Sequence, residues 1–391
     1  MKPEHRTMKV LSVVGARPNF MKVAPFIHEI QRHNEANEKL VDHILVHTGQ
    51  HYDPLMSDIF FERLGIPRPD HNLNIGSGGH GVQLGQTMIA FDELLQEVKP
   101  DWVVVIGDVN ATLSCSVIAK RHQIKVCHIE SGLRSFDKRM PEEINRMVTD
   151  SISDLLLTPD TISSDNLRRE GKPEESIKFV GNIMIDTLVK NVEQAKLLNT
   201  QEIIEANRFK NLSVVQSAIE ENNFGLMTMH RPSNVDDRNV LLSIVETLEN
   251  KICPKLSIVL PLHPRTEKQL KTFGLWERFT QISGLVLLNP IGYLELLKLN
   301  TEAKLFLSDS GGIQEECTYL GTPCITLRDS TERPVTLKEH GGVSVLVGNN
   351  MELVEKYFND FLTKDRQPQK PALWDGNTAK RCLEAILSFQ D

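Results

Sequence analysis

Apolar residues in this chain gather into short, β-branched runs, separated by longer stretches in which they recur every three or four positions. The runs at 9–14, 43–47, 102–106, 125–129, 154–157 and 177–180 show no polar alternation. That is the pattern of strands covered on both faces, as in a parallel sheet. Between them the spacing predicts helices at about 20–33, 54–64, 81–98, 111–122, 141–153 and 161–170. Strand–helix alternation of this kind specifies a doubly wound α/β domain.

The rhythm breaks over 197–222, which is polar, helical in spacing and without a strand. It restarts with strand candidates at 224–229, 256–260, 285–288, 304–307, 323–327 and 343–347, again with helices between them. The expected organisation is therefore an α/β domain over 1–196 and a second of similar plan over 197–366. A Pro-containing linker at 367–371 then leads to a helix over 374–390, expected to pack back on the first domain. Open α/β sheets bind ligands beyond the carboxyl ends of their strands, so the expected site is a cleft between two facing sheets. Polar residues directly after strands are the candidates.

The richest such place lies within 305–333: a short strand, the turn Ser310-Gly311-Gly312, a helix and a second strand. Glycines let a ligand approach the backbone, and the helix start directs free N–H groups and a positive dipole end at it. This suits a phosphate or diphosphate. Glu316, one turn into the helix, can accept both hydroxyls of a ribose; the alternative is an ordinary glycine loop with an acidic first turn.

Other strand ends add candidates. Arg17 and Lys22 straddle a helix start and would make an anion clamp, unless Arg17 is a surface residue beside a proline-initiated helix. The tract 47–53 contains Gln50 and His51. Asp108 follows the strand at 102–106 and either serves a ligand or caps the next helix. Glu130 stands at a strand end where no helix-cap explanation is natural. Glu142 and Glu143 open a helix after Pro141, where acidic residues offset the dipole, and Arg146 is four residues from Glu142, in range of an ion pair. In the second half His230 follows the first strand directly, placed to move a proton near neutral pH or to serve structure; 262–265 (Leu-His-Pro-Arg) repeats the theme.

Composition narrows the picture. With 391 residues, 40% hydrophobic and 25% charged, the chain has the balance of a globular protein of two ordinary domains. A net charge of -8 argues against a nucleic-acid binder. The cysteines at 115, 127, 253, 317, 324 and 382 show no metal-type spacing and sit partly in apolar runs, which predicts buried thiols in a reducing cytoplasm. The first residues lack an apolar signal core and no run reaches membrane-spanning length, so a cytosolic protein without membrane association is expected. There is no Walker lysine loop, no H-E-x-x-H, no G-x-S-x-G, and no G-x-G-x-x-G after the first strand. Three carboxylates opposite a histidine and a phosphate cradle suggest acid/base chemistry on a nucleotide-linked substrate.

Eight blocks carry a resemblance: GARPNFMKVAP, HTGQHYD, GDVNATLS, HIESGLRS, MPEEINR, MHRPSN, SDSGGIQEE and RDSTERP. In this order, along nearly the whole chain, they resemble the non-hydrolysing UDP-N-acetylglucosamine 2-epimerases. The resemblance implies two Rossmann-like domains in the glycosyltransferase-B arrangement, a UDP-sugar substrate, a homodimer, and neither redox cofactor nor metal. It implies C2 inversion through loss of UDP to a 2-acetamidoglucal, followed by re-addition. By motif, Asp108, Glu130, Glu142 and His230 look like the acid/base and leaving-group residues. Arg17, Lys22 and Arg146 look like nucleotide or sugar contacts, Ser310, Gly311 and Gly312 the diphosphate cradle, Glu316 the ribose ligand, and Arg333 a further diphosphate or sugar contact.

The chain departs from the common bacterial form at Asp53, where members with an allosteric UDP-GlcNAc site carry glutamine, although Gln50 and His51 are kept. Leu296 stands where an aromatic is often found. The wording GQHYD and LNIGSGGH is similar to archaeal members and to epimerases of modified UDP-sugars. The alternatives are a hydrolysing epimerase releasing ManNAc and UDP, an epimerase of a 2,3-diacetamido uronic acid UDP-sugar, and, from another class, a glycosyltransferase.

Overall fold

The computed structural model describes residues 7–37, 40–49, 65–76, 78–209 and 223–389. Within these residues the chain forms two Rossmann-like units, each a doubly wound parallel sheet covered by helices. One unit is Met1–Thr187 together with Ala372–Asp391; the other is Leu188–Pro371.

The first sheet has seven strands in the order β3-β2-β1-β4-β5-β6-β7, all parallel. They are β1 (Met8–Val14), β2 (Val41–His47), β3 (His71–Asn72), β4 (Trp102–Ile106), β5 (Lys125–Ile129), β6 (Leu155–Thr158) and β7 (Ile177–Phe179). Alternation of side chains along a strand divides the apolar runs between two layers. Trp102, Val104 and Ile106 join Phe26, Ile27 and Leu383 on one face, while Val103 and Val105 meet Phe91, Leu95 and Cys115 on the other. An uninterrupted apolar run is thus what a two-sided sheet requires. Strand order reverses between β1 and β4, which creates the crevice in which such sheets bind ligands.

The helix Arg17–Ala36 continues through Pro25. Proline has no N–H to donate to Met21 O, four residues back. Thr187 Oγ1 donates to that carbonyl instead, at 2.6 Å. The helix predicted at 54–64 lies outside the described residues. A helix not expected from the sequence, Ile183–Lys196, carries the chain out of the first unit.

The C-terminal helix Thr378–Ser388 packs beside Arg17–Ala36. It begins four residues later than the apolar spacing suggests, because Leu373 and Gly376 turn the backbone through φ of 61° and 80°. Trp374, buried, donates Nε1–H to Pro159 O at 3.1 Å. The Asp186 carboxylate receives the first N–H groups of this helix, from Thr378 at 3.0 Å and Ala379 at 2.7 Å.

The second sheet has the order β10-β9-β8-β11-β12-β13, also all parallel. Its strands are β8 (Gly225–Thr228), β9 (Ile258–Pro261), β10 (Leu285–Leu288), β11 (Leu305–Ser308), β12 (Cys324–Thr326) and β13 (Ser344–Leu346). Leu305 and Leu307 enter one core and Phe306 the other. The reversal falls between β8 and β11, so His230 and Asp309–Ser310 leave adjacent strand ends. All six cysteines are buried free thiols, and no helix among the described residues is long and apolar enough to cross a membrane.

Candidate active site

In the first unit, β1, β4 and β5 deliver their following residues to one edge of the sheet. Asn19, in the first turn after β1, accepts from Gly15 N and Ala16 N and donates Nδ2–H to Ile106 O at 2.9 Å. The helix start is thereby fixed to the end of β4. One turn on, buried Lys22 pairs with Glu130 Oε2 at 2.5 Å. Glu130 itself is buried and has φ +69°, a conformation costly for a residue with a side chain. Its Oε1 is enclosed without a hydrogen-bond partner among the described residues. Gly107 adopts φ +70°, and a Cβ there would lie 3.1 Å from Lys22 Nζ and 3.5 Å from Glu130 Oε2. The pair therefore depends on glycine at 107.

Asp108, next in the chain, caps no helix: the N-cap is Val109, and no side chain caps. Its partly exposed carboxylate pairs with Arg146 Nη1. Arg146 is almost wholly enclosed and also holds Glu143 Oε2 at 2.7 Å. The i,i+4 pair of Arg146 with Glu142 does not form. Positions 143, 146 and 150 share the inner face of the helix Pro141–Ile152, whereas Glu142 is turned about 100° away from 143. Glu142 is half-buried and makes no hydrogen bond or ion pair among the described residues. Glu143 anchors the loop after β5, accepting Ser135 N and Oγ, both at 2.9 Å, and Phe136 N at 3.0 Å. Burial pushes the Glu143 carboxyl up, but the Ser135 N–H and Arg146 outweigh it and hold it low.

In the second unit the organising residue is Asp309, which directly follows β11 and precedes Ser310. Wholly buried, it accepts at Oδ2 from His230 N (2.9 Å), Arg231 N (2.7 Å) and Asn234 Nδ2 (3.0 Å). Its Oδ1 lies 3.2 Å from His230 Nδ1. Burial raises the Asp309 carboxyl, while the His230 ring and these N–H donors more than offset it. The exposed His263 ring stands 5.2 Å from that of His230, and its Nδ1 accepts from Arg265 N at 3.1 Å.

Ser310 is the N-cap of the helix Gly311–Leu320, yet its hydroxyl caps nothing. The two glycines differ in what surrounds them. A Cβ on Gly311 would meet Arg333 Nη1 and Glu332 Oε1, each at 2.9 Å; a Cβ on Gly312 would meet only Ser310 Oγ, at 4.0 Å. Gly312 thus borders open space, and Gly311 rests on a buried ion-pair cluster. In that cluster Arg333 Nε pairs with Glu315 Oε1 at 2.6 Å and its Nη1 with Glu332. Arg328 holds Glu332 Oε2 at 2.8 Å. Arg333, expected as a diphosphate or sugar contact, is thus already engaged by two carboxylates. Glu316 is buried with Oε2 unpartnered among the described residues; burial, then the neighbouring Glu315 charge, pushes its carboxyl up to about 7. Tyr293 lies near it, and burial together with Glu316 raises the phenol well above its ordinary value.

Gln50, His51 and the side chain of Arg17 lie outside the described residues. Among the others, the described geometry gathers Lys22, Asp108, Glu130, Glu142 and Arg146 on one unit, and His230, Ser310, Gly311, Gly312, Glu316 and Arg333 on the other. Asp309, Tyr293 and Arg328 carry no local signal in the sequence, and Glu143, legible there only as a first-turn acid, turns out to brace the loop after β5. Asp309 and Tyr293 act through contacts with distant segments, whereas Glu143 and Arg328 act through partners within eight residues, which only burial distinguishes from surface pairs.

A family model described as UDP-N-acetylglucosamine 2-epimerase matches residues 33–387. The chain belongs to this family. It is an enzyme of the isomerase class. A UDP-N-acetylglucosamine 2-epimerase from Methanocaldococcus jannaschii is 41% identical over 381 residues, covering 97% of this chain and 99% of that protein. The UDP-2,3-diacetamido-2,3-dideoxy-D-glucuronate 2-epimerase of Pseudomonas aeruginosa is 37% identical over 383 residues, covering 97% and 99%. The crystal structure of the M. jannaschii epimerase in complex with UDP-GlcNAc and UDP matches with a TM-score of 0.85 at 40% identity, covering 98% of this chain and all of that one.

Proposed function

We propose that this epimerase interconverts UDP-N-acetylglucosamine and UDP-N-acetylmannosamine. The observation that carries the reading is its similarity, over essentially the full length of both chains, to an epimerase crystallised with UDP-GlcNAc and UDP. In the proposed reaction a base takes the C2 proton while the C1–O bond to UDP breaks. The C–H electron pair forms the C1=C2 double bond of a 2-acetamidoglucal, and UDP leaves with the bonding pair. A proton is then delivered to the opposite face of C2, and a UDP oxygen re-forms the bond to C1. The C2 proton is not acidic in itself, so its removal has to be coupled to a good leaving group.

In this reading the first domain supplies acid/base groups and the second holds UDP. Asp108, Glu130 and Glu142 handle protons at C2, with Lys22 and Arg146 setting the charge around them. The pairing of Lys22 with Glu130 and of Arg146 with Asp108 supports this, since each holds a carboxylate in a fixed orientation. His230 serves the departing diphosphate, Ser310, Gly311 and Gly312 cradle it, Glu316 takes the ribose and Arg333 supports the cradle. Arg17 contacts the nucleotide or sugar, and Gln50 and His51 belong to a second UDP-sugar site. The protein works as a homodimer in the cytoplasm; buried free thiols support the reducing location.

Proton NMR of purified protein with UDP-GlcNAc in heavy water tests the reading. Expected is UDP-ManNAc carrying deuterium at C2, without accumulation of free UDP. Release of ManNAc and UDP would mean a hydrolysing enzyme, and an absence of C2 exchange would overturn the reading. The similarity to the P. aeruginosa enzyme favours one second reading, a 2,3-diacetamido uronic acid UDP-sugar as substrate. Comparing kcat/KM for the two UDP-sugars separates them.

A further inference from the structure

Beneath the acidic edge of the first unit lies a buried charge network to which the proposed reaction assigns no part. At its centre is His128, on β5 and completely enclosed. Its Nδ1 is 2.6 Å from Asp150 Oδ1, and its Nε2 is 2.9 Å from the Gly107 carbonyl oxygen. Both partners are acceptors. A neutral imidazole has a single N–H and can serve only one of them; the imidazolium serves both.

The surroundings balance that charge. Asp150 Oδ2 pairs with Arg134 Nη1 at 2.7 Å and accepts from Gly132 N at 3.0 Å. Arg134 in turn holds Glu170 Oε2 at 2.6 Å. Burial pushes the Asp150 carboxyl up, yet the His128 ring, Arg134 and the Gly132 N–H together bring it below the usual range. The His128 ring from β5 and the Arg134 guanidinium from the loop after it thus meet two carboxylates, Asp150 of the helix Pro141–Ile152 and, a step further out, Glu170 at the C-cap of the helix Thr161–Arg169.

Position gives the network its purpose. Gly107 immediately precedes Asp108, His128 stands two residues before Glu130, and Asp150 shares its helix with Glu142 and Arg146. We propose that His128, held as an imidazolium between Asp150 and the Gly107 carbonyl, is the positioning residue that sets Asp108, Glu130 and Glu142 in register with one another. The inference rests on the reading of those carboxylates as the reactive groups. His128 acts only through its two hydrogen bonds: if the ring lost either proton, the Gly107 carbonyl or the Asp150 carboxylate would face a lone pair in a fully enclosed site.

Two measurements test this. In protein labelled with ¹⁵N at histidine, the His128 ring, assigned through its loss in His128→Asn, should carry protons on both nitrogens at pH 8. In His128→Asn and His128→Gln, kcat with UDP-GlcNAc should fall about 10- to 100-fold while KM and UDP affinity stay within about twofold, as expected for misplaced reactive groups. A single protonated ring nitrogen at pH 8 overturns the proposal, as does a folded His128→Asn protein with wild-type kcat. Should the variants fail to fold, the ring state of the wild-type protein still decides, since assignment can come from its contact with Asp150. The NMR result does not depend on which UDP-sugar is turned over, so failure of the assigned reaction is distinguishable from failure of this proposal.

Discussion

Two adjacent glycines at the start of one helix do different work. Gly311 has no room for a methyl group, because Arg333 and Glu332 stand 2.9 Å from where it would sit. Gly312 has that room, and its lack of a side chain keeps space open at the N–H groups of the helix start. Gly311→Ala should therefore destabilise the protein by about 1–3 kcal/mol through overpacking, seen as a lower Tm. Gly312→Ala should leave Tm unchanged and weaken UDP binding by calorimetry. Reversal of this pattern would place the ligand on the other side of the turn. Neighbouring Glu316 adds a pH effect. Its carboxyl, pushed from 4.5 to about 7 in the folded protein, binds a proton there that the unfolded chain releases. Stability contributed by this group falls as pH rises between those two values, by on the order of 3 kcal/mol in all. In its proposed role as ribose ligand Glu316 accepts the hydroxyls best when ionised, so UDP should bind more tightly as pH rises toward 7 and then level off. In Glu316→Gln both the stability slope and that part of the binding slope should vanish; a retained binding slope would assign it to the phosphate of UDP itself.

Among the elements, the helix Arg17–Ala36 shows how a local break is repaired from a distance. Pro25 leaves Met21 O without its helical donor, and Thr187 Oγ1 replaces it. Thr187→Val keeps the shape and removes the donor, and should cost about 1–3 kcal/mol in urea denaturation. An unchanged midpoint would show that the carbonyl finds another partner. The same logic governs the helix Pro141–Ile152. Its inner face carries Glu143 and Asp150, both tied to the loop after β5, and Arg146, tied to Asp108 after β4, while Glu142 on the flank remains free of protein partners among the described residues. Acidic residues in a first turn look alike in sequence. Which of them braces the fold and which faces a ligand depends on helix rotation against the sheet.

Across the whole molecule, the last twenty residues complete the first unit. Trp374, Cys382, Leu383 and Ile386 are buried in it, and Asp186 receives the start of the terminal helix. Full burial of each large apolar side chain is worth about 1.5–3 kcal/mol, so their combined loss rivals the ~5–15 kcal/mol stability of a whole domain. A chain ending at Pro371 should be insoluble or melt far below the full-length protein in calorimetry. A soluble truncated protein with the Tm of the full chain would show the terminal helix to be dispensable.

The strand runs and their two-sided burial were legible in the amino-acid order, because a strand covered on both faces leaves no polar position to confuse the pattern; 102–106 and 125–129 are strands as read. The rule that ligands meet the residues after strands pointed to Asp108, Glu130 and His230, since those positions follow from topology alone. Tertiary structure decided what each residue touches. It gave Arg146 to Glu143 and Asp108 rather than Glu142, made Asp309 the anchor of His230, engaged Arg333 with two carboxylates, and set the charge of Glu316 by burial. Asp309–His230 and Arg146–Asp108 join segments distant in the chain, and the short-range pairs form only because packing turns those side chains inward. Hydrophobic periodicity determines the elements, but the electrostatics of a site depend on how those elements pack.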